Sequence, residues 1–281
     1  VNKLISIIIA TYNAEECIRE CLNSILVQTY SKYEVVIIDG KSQDNTLSII
    51  HEFEGRINNL IVLSESDKGL YDAWNKGLAI ASGEWFTFIG ADDIYASQDS
   101  LLIFSKEIIN NEKPFYYGLI ACNGPEGDIT GYSGSDWLDP WSMKFNFYQI
   151  RLPFPIMTCI FNREFISAEK FNLEYRVVAD ADLVLRCLKK WKGVSPAFIK
   201  NQQPLIRMGY GGISTNPKTH VLTLKEIYLI RKRNDISNIN FHLFIRTWKV
   251  FSLNVIAKIF GEGACMYLIK SHHKLKVLLK N

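Results

Sequence analysis

Four short apolar runs recur through the first ninety residues, and helical patterns fill the gaps between them. The runs are residues 4–10 (LISIIIA), 33–38 (YEVVII), 60–63 (LIVL) and 85–89 (WFTFI). Runs of this length, rich in Ile, Val and aromatic residues, read as strands buried on both faces of a parallel sheet. Between them Cys17, Ile18, Cys21, Leu22, Ile25 and Leu26 repeat at helical spacing. Leu47, Ile50 and Phe53 do the same, and residues 70–81 make a third helical stretch. Asn13 is placed to cap the first helix and Ser42, Asp44 or Asn45 the second. Gly83 falls where a C-terminal cap glycine belongs on the third. This alternation specifies a doubly wound α/β sheet. In such sheets ligands bind beyond the carboxyl ends of the strands. Polar sets stand at three of those ends: Thr11-Tyr12-Asn13, Asp39, and Asp92-Asp93.

Beyond residue 110 the pattern loosens. Residues 116–122, 157–161 and 194–199 read as further strands, and Asp180 opens a helix through Leu183, Leu185, Cys187 and Leu188. Gly209, Gly211 and Gly212 mark residues 207–215 as a loop. From Thr219 onward, apolar and basic residues share long helical patterns.

Charge divides along the same line. Residues 218–281 have a net charge of +9 and the first 217 residues −6. Such a tail fits an anionic membrane or nucleic acid, or a merely solvated helical face. Apolar residues at 48% against 22% charged exclude disorder as the main state. No apolar run reaches the roughly 20 residues that a membrane span needs. Residues 1–12 lack the cationic flank and cleavage site of a secretory leader, so cytoplasmic residence is the expectation. The six cysteines contain no Cys-x-x-Cys pair and have no His cluster nearby. Neither a zinc site nor a disulfide framework is expected, and a reducing compartment fits.

Several chemistries are excluded by motif. There is no Gly-x-Gly-x-x-Gly after the first strand, no phosphate-binding Gly-x-x-x-x-Gly-Lys-Ser/Thr and no Gly-x-Ser-x-Gly elbow. None of the five His sits in triad or metal spacing. Carboxylates remain. Adjacent acids such as Asp92 and Asp93 repel by about 4 kcal/mol near a protein surface. A hard divalent cation, Mg²⁺ or Mn²⁺, relieves that repulsion and draws in a diphosphate. The alternative is a loop pair that caps the helix following it.

Residues 6–13 (SIIIATYN), 36–46 (VIIDGKSQDNT), 64–77 (SESDKGLYDAWNKG) and 83–93 (GEWFTFIGADD) stand in an order that resembles the opening of family-two inverting glycosyltransferases. Residues 179–186 (ADADLVLR) and 210–214 (YGGIS) are similar to the acidic helix start and late glycine loop of one branch. That branch builds bacterial capsule, colanic-acid-type and O-antigen polysaccharides. The resemblance covers about residues 4–215 and implies a GT-A fold: a Rossmann-like, mixed but mainly parallel sheet flanked by helices. The expected division is a catalytic domain over 1–215, with a nucleotide-binding half to 110 and an acceptor half over 111–215. A basic, amphipathic helical extension follows over 216–281. The implied reaction moves a sugar, with inversion, from a nucleotide diphosphate to a saccharide hydroxyl. The implied cofactor is Mn²⁺ or Mg²⁺.

The resemblance also assigns roles. Tyr12 would stack on the donor base, Thr11 would meet it through main chain, and Asn13 lies beside them. Asp39 would accept from base or ribose, Asp92 would hold the ribose and Asp93 the metal. Lys68 would meet the diphosphate, and Asp72 and Asn75, three apart on one helix face, would contact the sugar. Asp180 is the candidate base, since displacement at an anomeric carbon needs a carboxylate to take the acceptor's proton. Asp182 would face elsewhere. Arg207, Gly212 and Ser214 would form a lid.

Three positions depart from the family pattern. Gly90 stands where many relatives carry a third acid, and Gly40 where many carry a second acid after Asp39. Ile156-Met157 replaces a common His-Gln, which points to a different acceptor sugar. A uridine donor is favoured over a guanosine one. The acceptor is expected to be lipid-linked, with the protein peripheral at the inner membrane face. No nucleic-acid partner is expected. The rival readings are a sugar-phosphate nucleotidyltransferase and a non-catalytic scaffold subunit that kept the nucleotide pocket.

Overall fold

The four apolar runs become parallel neighbours in the computed structural model, which describes residues 3–109, 113–124, 126–134, 154–166, 169–190, 196–209 and 219–234. They are β1 (Ile5–Thr11), β2 (Tyr33–Asp39), β3 (Leu60–Ser64) and β4 (Trp85–Gly90). Helices α1 (Ile18–Leu26), α2 (Thr46–His51) and α3 (Leu70–Ile80) connect them. Alternate residues of each strand face opposite layers. Ile7, Ile9, Val35, Ile37 and Ile89 pack with Ile18, Leu22, Ile49 and Leu101. Ile8, Val36, Ile38 and Phe88 pack with Trp74, Leu183 and Ile227. Two cores on one sheet explain why the runs are apolar at successive positions rather than at every second one.

The remaining strands among the described residues are two to five residues long. They are β5 (Ile94–Tyr95), β6 (Phe115–Tyr117), β7 (Ile120–Asn123), β8 (Ile129–Ser133), β9 (Cys159–Asn162), β10 (Ala197–Phe198) and β11 (Ile206–Met208). Among them lie α4 (Ser100–Ile108), α5 (Arg163–Ile166), α6 (Ala179–Lys190) and α7 (His220–Arg233). The main sheet runs β10-β6-β9-β4-β1-β2-β3, and β9 lies antiparallel to β4 and β6. A second sheet runs β5-β11-β7-β8.

The sequence reading is corrected at several points. The expected strand over 116–122 is two strands in two different sheets, with the chain turning at Gly118. A Cβ there would lie 2.4 Å from Leu205 Cδ1, so the backbone must pass close beneath that side chain. The expected strand over 157–161 begins as a 3₁₀ turn (Ile156–Thr158) before β9. Residues 207 and 208 belong to β11, not to a loop. Asn13 caps no helix, because α1 starts at Ile18. Gly83 is not a helix cap either, since α3 ends at Ile80 with Ala81 extended. Gly83 is instead required by proximity: a Cβ would stand 2.4 Å from Ser6 Oγ and 2.9 Å from the Leu4 carbonyl.

Register sets the functional end of the sheet. Thr11 pairs with Asp39, Asp39 with Ser64, and Ala10 with Gly90. The polar strand ends therefore stand level along one edge, as the α/β rule requires. Of the extension expected over 216–281, α7 is described, and residues 235–281 lie outside the described residues. Ile227 and Ile230 of α7 are buried in the same core as Trp74 and Phe88.

Candidate active site

At the end of β1, Tyr12 projects outward with 63% of its surface exposed. Asn13 takes a left-handed conformation (φ 47°), which asparagine tolerates better than most residues. Its side chain accepts from Gln43 N at 2.8 Å and its own N–H donates to Ser42 Oγ at 2.8 Å, so it ties the two strand-end loops together. The Thr11 carbonyl accepts Gly40 N–H at 2.9 Å. Thr11 Oγ1 is buried and finds no partner among the described residues. Asp39 is fully buried and accepts from Ser42 N (3.1 Å), Ser42 Oγ (2.5 Å) and Ser64 Oγ (2.6 Å). Its carboxylate thus organises the β2 loop from within.

Gly40 explains a residue that sequence reasoning missed. A Cβ at position 40 would stand 2.7 Å from Asp67 Oδ2 and 3.3 Å from the Tyr12 ring. The Asp67 carboxylate therefore occupies the space that a side chain at 40 would fill, beside the exposed aromatic face. The signal was present as Asp67 in the 64–77 block, but the pairing with Gly40 is tertiary. Asp67 also accepts Gly69 N–H at 2.7 Å, and Gly69 (φ 108°) makes the turn into α3.

Helix α3 and the residues entering it carry Lys68, Tyr71, Asp72 and Asn75. Asp72 accepts Lys68 N–H at 3.0 Å, closing the helix start from its third position. The Lys68 side chain is exposed beside it. Asn75 makes a tertiary contact: its side-chain amide donates to the Phe171 carbonyl (2.9 Å) and accepts Phe171 N–H (2.8 Å). Both ends of Asn75 thus pin the segment that precedes α6. Tyr71, unmarked at the sequence level, is buried. Its hydroxyl donates to the Val177 carbonyl at 2.9 Å and lies 3.3 Å from Asp180 Oδ1.

At the end of β4 the two acids differ sharply. Asp92 is exposed and Asp93 is buried. Asp93 accepts Gly90 N–H and Gly209 N–H, each at 3.0 Å. Burial, then the Asp92 charge, push its carboxyl up to about 7. A Cβ at Gly90 would stand 2.7 Å from Asp92 Oδ1 and 2.8 Å from Asp93 Oδ2, so both carboxylates converge over that glycine. Oxygen donors gathered this way, with one carboxyl pushed up by burial and by its charged neighbour, fit a hard divalent cation. Among the described residues no three His, Cys, Asp or Glu side chains form a ready cluster. A cation held here would need further ligands from outside these two side chains, such as phosphate oxygens or water.

Asp180 sits in the first turn of α6. Burial pushes its carboxyl up to about 6, and hydrogen bonds from its own helix start and from Tyr71 limit the rise. Asp182 turns away to Arg186 Nε at 2.8 Å, as expected. Arg207 lies within β11, paired to β5 and β7, and its guanidinium reaches Asn123 Oδ1 and the Gly127 carbonyl, each at 3.4 Å. The other two lid residues, Gly212 and Ser214, lie outside the described residues. Glu226 on α7, also missed, is buried and accepts three consecutive main-chain N–H groups, from Arg176 (2.7 Å), Val177 (2.9 Å) and Val178 (3.1 Å).

Known proteins share this frame. The PGL/p-HBAD biosynthesis glycosyltransferase of Mycobacterium bovis is 32% identical over 218 residues, covering 75% of this chain and 79% of the relative. The Staphylococcus aureus TarS fragment 1–349 in complex with UDP-GlcNAc superposes with a TM-score of 0.63 at 19% identity, over 81% of this chain and 66% of that one. The mannosyltransferase PcManGT of Pyrobaculum calidifontis, in complex with GDP-Man and Mn²⁺, gives 0.60 at 17% identity, over 96% and 79%. These two likenesses establish the fold. The model of glycosyl transferase family 2 matches residues 6–171, more than half of the sequence. With that match and the mycobacterial relative, the chain belongs to glycosyl transferase family 2 and is a glycosyltransferase.

Proposed function

We propose that this glycosyltransferase moves a sugar from a nucleoside diphosphate to a saccharide hydroxyl by direct displacement, with inversion, and that Asp180 is the base. The observation that carries the reading is the short segment that enters α3. Asp67, which fills the space over Gly40 beside Tyr12, and Tyr71, which touches Asp180, are four residues apart. A donor base on Tyr12 and an acceptor hydroxyl at Asp180 would thereby be linked through the loop entering α3 and the helix's first turn.

The residues divide the work. Tyr12 offers a ring for the base to stack on, and Asp67 offers a carboxylate to an N–H on the base edge. Asp92, exposed at the strand end, suits a ribose hydroxyl, and Lys68 is free to meet phosphate. Asp93, with Asp92 beside it, would hold Mn²⁺ or Mg²⁺, which when bound offsets charge on the departing diphosphate. Asp180 takes the proton of the acceptor hydroxyl as its oxygen bonds to the anomeric carbon and the bond to the diphosphate oxygen breaks. A carboxyl near 6 is mostly ionised at pH 7 yet basic enough to accept that proton.

UDP-GlcNAc on TarS and GDP-Man with Mn²⁺ on PcManGT support a nucleotide-sugar donor. Gly40 leaves the choice between uridine and guanosine to Asp67. Bacterial surface polysaccharide or glycolipid synthesis, with a lipid-linked acceptor at the inner membrane face, fits the basic C-terminal region. It also fits an outward row of Val221, Lys225, Tyr228, Leu229 and Lys232 on α7. No helix among the described residues is long and apolar enough to cross a membrane.

A thermal-shift panel of UDP- and GDP-sugars with and without Mn²⁺, run on wild type and Asp180→Asn, tests the reading. Ligand at 100 times its Kd stabilises by about 2.7 kcal/mol. Both proteins are expected to show the same metal-dependent shift, while transfer by Asp180→Asn falls by about 10²–10⁴. Wild-type transfer by that variant, or a product with retained anomeric configuration, would overturn the mechanism.

A further inference from the structure

The family model ends at residue 171, before Asp180 and well before α7. Yet α7 reaches back to the segment that launches Asp180. Glu226 is 2% exposed, and its carboxylate accepts three successive main-chain N–H groups from residues 176–178. The same segment is also held from α3. Tyr71 donates to the Val177 carbonyl, whose own N–H is one of the three that Glu226 receives. The Val178 carbonyl then accepts Asp182 N–H at 3.2 Å, which begins the ladder of α6. A second grip lies seven residues along α7, where Arg233 pairs with Glu174 and meets Tyr175 Oη at 3.0 Å.

A buried carboxylate is an expensive way to hold a loop. An apolar side chain would fill the same volume without desolvating a charge. What the carboxylate adds is direction: three converging N–H groups fix the peptide planes of 176–178, and with them the first turn of α6. It also sets a second negative charge near Asp180. Among the described residues, the titratable groups that interact with Asp180 from other elements are Tyr71 from α3, Cys159 from β9 and Glu226 from α7. Cys159 is a buried thiol held well above its usual range by burial, then by Asp180, so it stays neutral. Asp182, on the same helix, is turned to Arg186.

We propose that Glu226 is a positioning residue for Asp180, acting through the 176–178 turn jointly with Tyr71, and that α7 is part of the catalytic apparatus. The proposal rests on Asp180 being the base. Its two supports act oppositely on the acid limb of the rate profile. The Glu226 charge disfavours ionised Asp180, so Glu226→Gln moves the limb to lower pH. The Tyr71 hydroxyl favours ionised Asp180, so Tyr71→Phe moves it to higher pH.

The experiment is a kcat profile from pH 5 to 8 for the full chain, on wild type, Glu226→Gln, Glu226→Asp, Tyr71→Phe and Asp180→Asn. Donor KM and the nucleotide-sugar thermal shift are measured alongside. A displaced base costs roughly tenfold to a hundredfold in kcat. That loss is expected for Glu226→Gln and Tyr71→Phe, with donor KM and the nucleotide-sugar shift unchanged and the two limbs displaced in opposite senses. Glu226→Asp, which keeps the charge but shortens the reach to the three N–H groups, is expected to keep the wild-type limb at a reduced kcat. If Glu226→Gln fails to bind nucleotide sugar as a folded protein does, Glu226→Asp and Tyr71→Phe carry the comparison. An unmoved limb in Tyr71→Phe, with Glu226→Asp indistinguishable from wild type in kcat, then counts against the proposal. Wild-type kcat and limb in Glu226→Gln, while Asp180→Asn is inactive, refute the positioning role and leave the base assignment standing. Full activity in Asp180→Asn instead removes the base assignment, and the positioning role with it.

Discussion

Gly90 ends β4 with nothing beyond its Cα, and two carboxylates use the space. An acid at this position could not be grafted onto this chain without moving Asp92 and Asp93. Gly90→Ala is accordingly expected to lower kcat/KM by tenfold or more and to weaken the Mn²⁺ requirement. Stability should change by no more than about 1 kcal/mol, because the flexible ends of Asp92 and Asp93 can yield. Steady-state kinetics with a thermal melt would check this, and an unchanged kcat/KM would mean that the corner is not used. Asp93 also predicts a pH dependence. Its folded-state carboxyl is raised from 3.8 to about 7, so the metal-free fold holds that proton more tightly than the unfolded chain does. Asp93 therefore costs stability progressively as pH rises from about 4 through 7. A cation must displace the same proton. Mn²⁺ affinity should fall about tenfold per pH unit below 7 and level off above it. Mn²⁺ titrations followed by thermal shift at pH 6 and pH 8 would show it; equal affinities would exclude Asp93 as the ligand.

Helix α3 shows how an element carries the site and how much of it the sequence reveals. Gly77 lets it lie close on the sheet, since a Cβ there would stand 2.4 Å from Ile8 Cγ2 and 3.5 Å from Ile38 Cγ1. Gly77→Ala would gain about 1 kcal/mol of helix propensity. Overpacking costs typically 1–3 kcal/mol, so the net change should be a loss of up to about 2 kcal/mol, read as a lower Tm. A gain in Tm would show that the helix can lift without harm. The helix itself was legible, as were the four strands around it, because apolar periodicity and strand-end acids are local signals. What α3 does was not. Asn75 also binds the main chain of Phe171, 96 residues away, a contact that no local pattern announces. Tyr71 reads as one more core aromatic until Asp180, 109 residues on, is folded against it. The second sheet escaped for the same reason: β5 has two residues and β11 three, and neither has a pattern until the two pair. Gly83 misled because a glycine after a helix usually caps it, whereas here close approach to β1 demands it.

Across the whole molecule the charge asymmetry acquires a location. The segment up to residue 217 carries −6 and the rest +9, and α7 is where the two meet. Its inner face gives Glu226, Ile227 and Ile230 to the catalytic unit. Its outer face sets Val221, Lys225, Tyr228, Leu229 and Lys232 at spacings of four, three, one and three residues, one stripe of a helix. Apolar side chains interleaved with lysines are the composition of a helix that rests on an anionic bilayer. On the proposed reading this would bring the turn held by Glu226, and so Asp180, toward a lipid-linked acceptor. Each basic residue near such a surface contributes about 1 kcal/mol. Lys225→Gln together with Lys232→Gln should thus weaken binding to vesicles containing phosphatidylglycerol by roughly thirtyfold, since about 1.4 kcal/mol is a factor of ten. Transfer to a soluble acceptor analogue should be unaffected, because neither lysine lies on the inward face. Flotation at low and high salt measures the first, and a rate assay the second. Wild type that stays at the bottom of the gradient at low salt, or floats equally well with neutral vesicles, would mean that α7 faces water and that the acceptor arrives by another route.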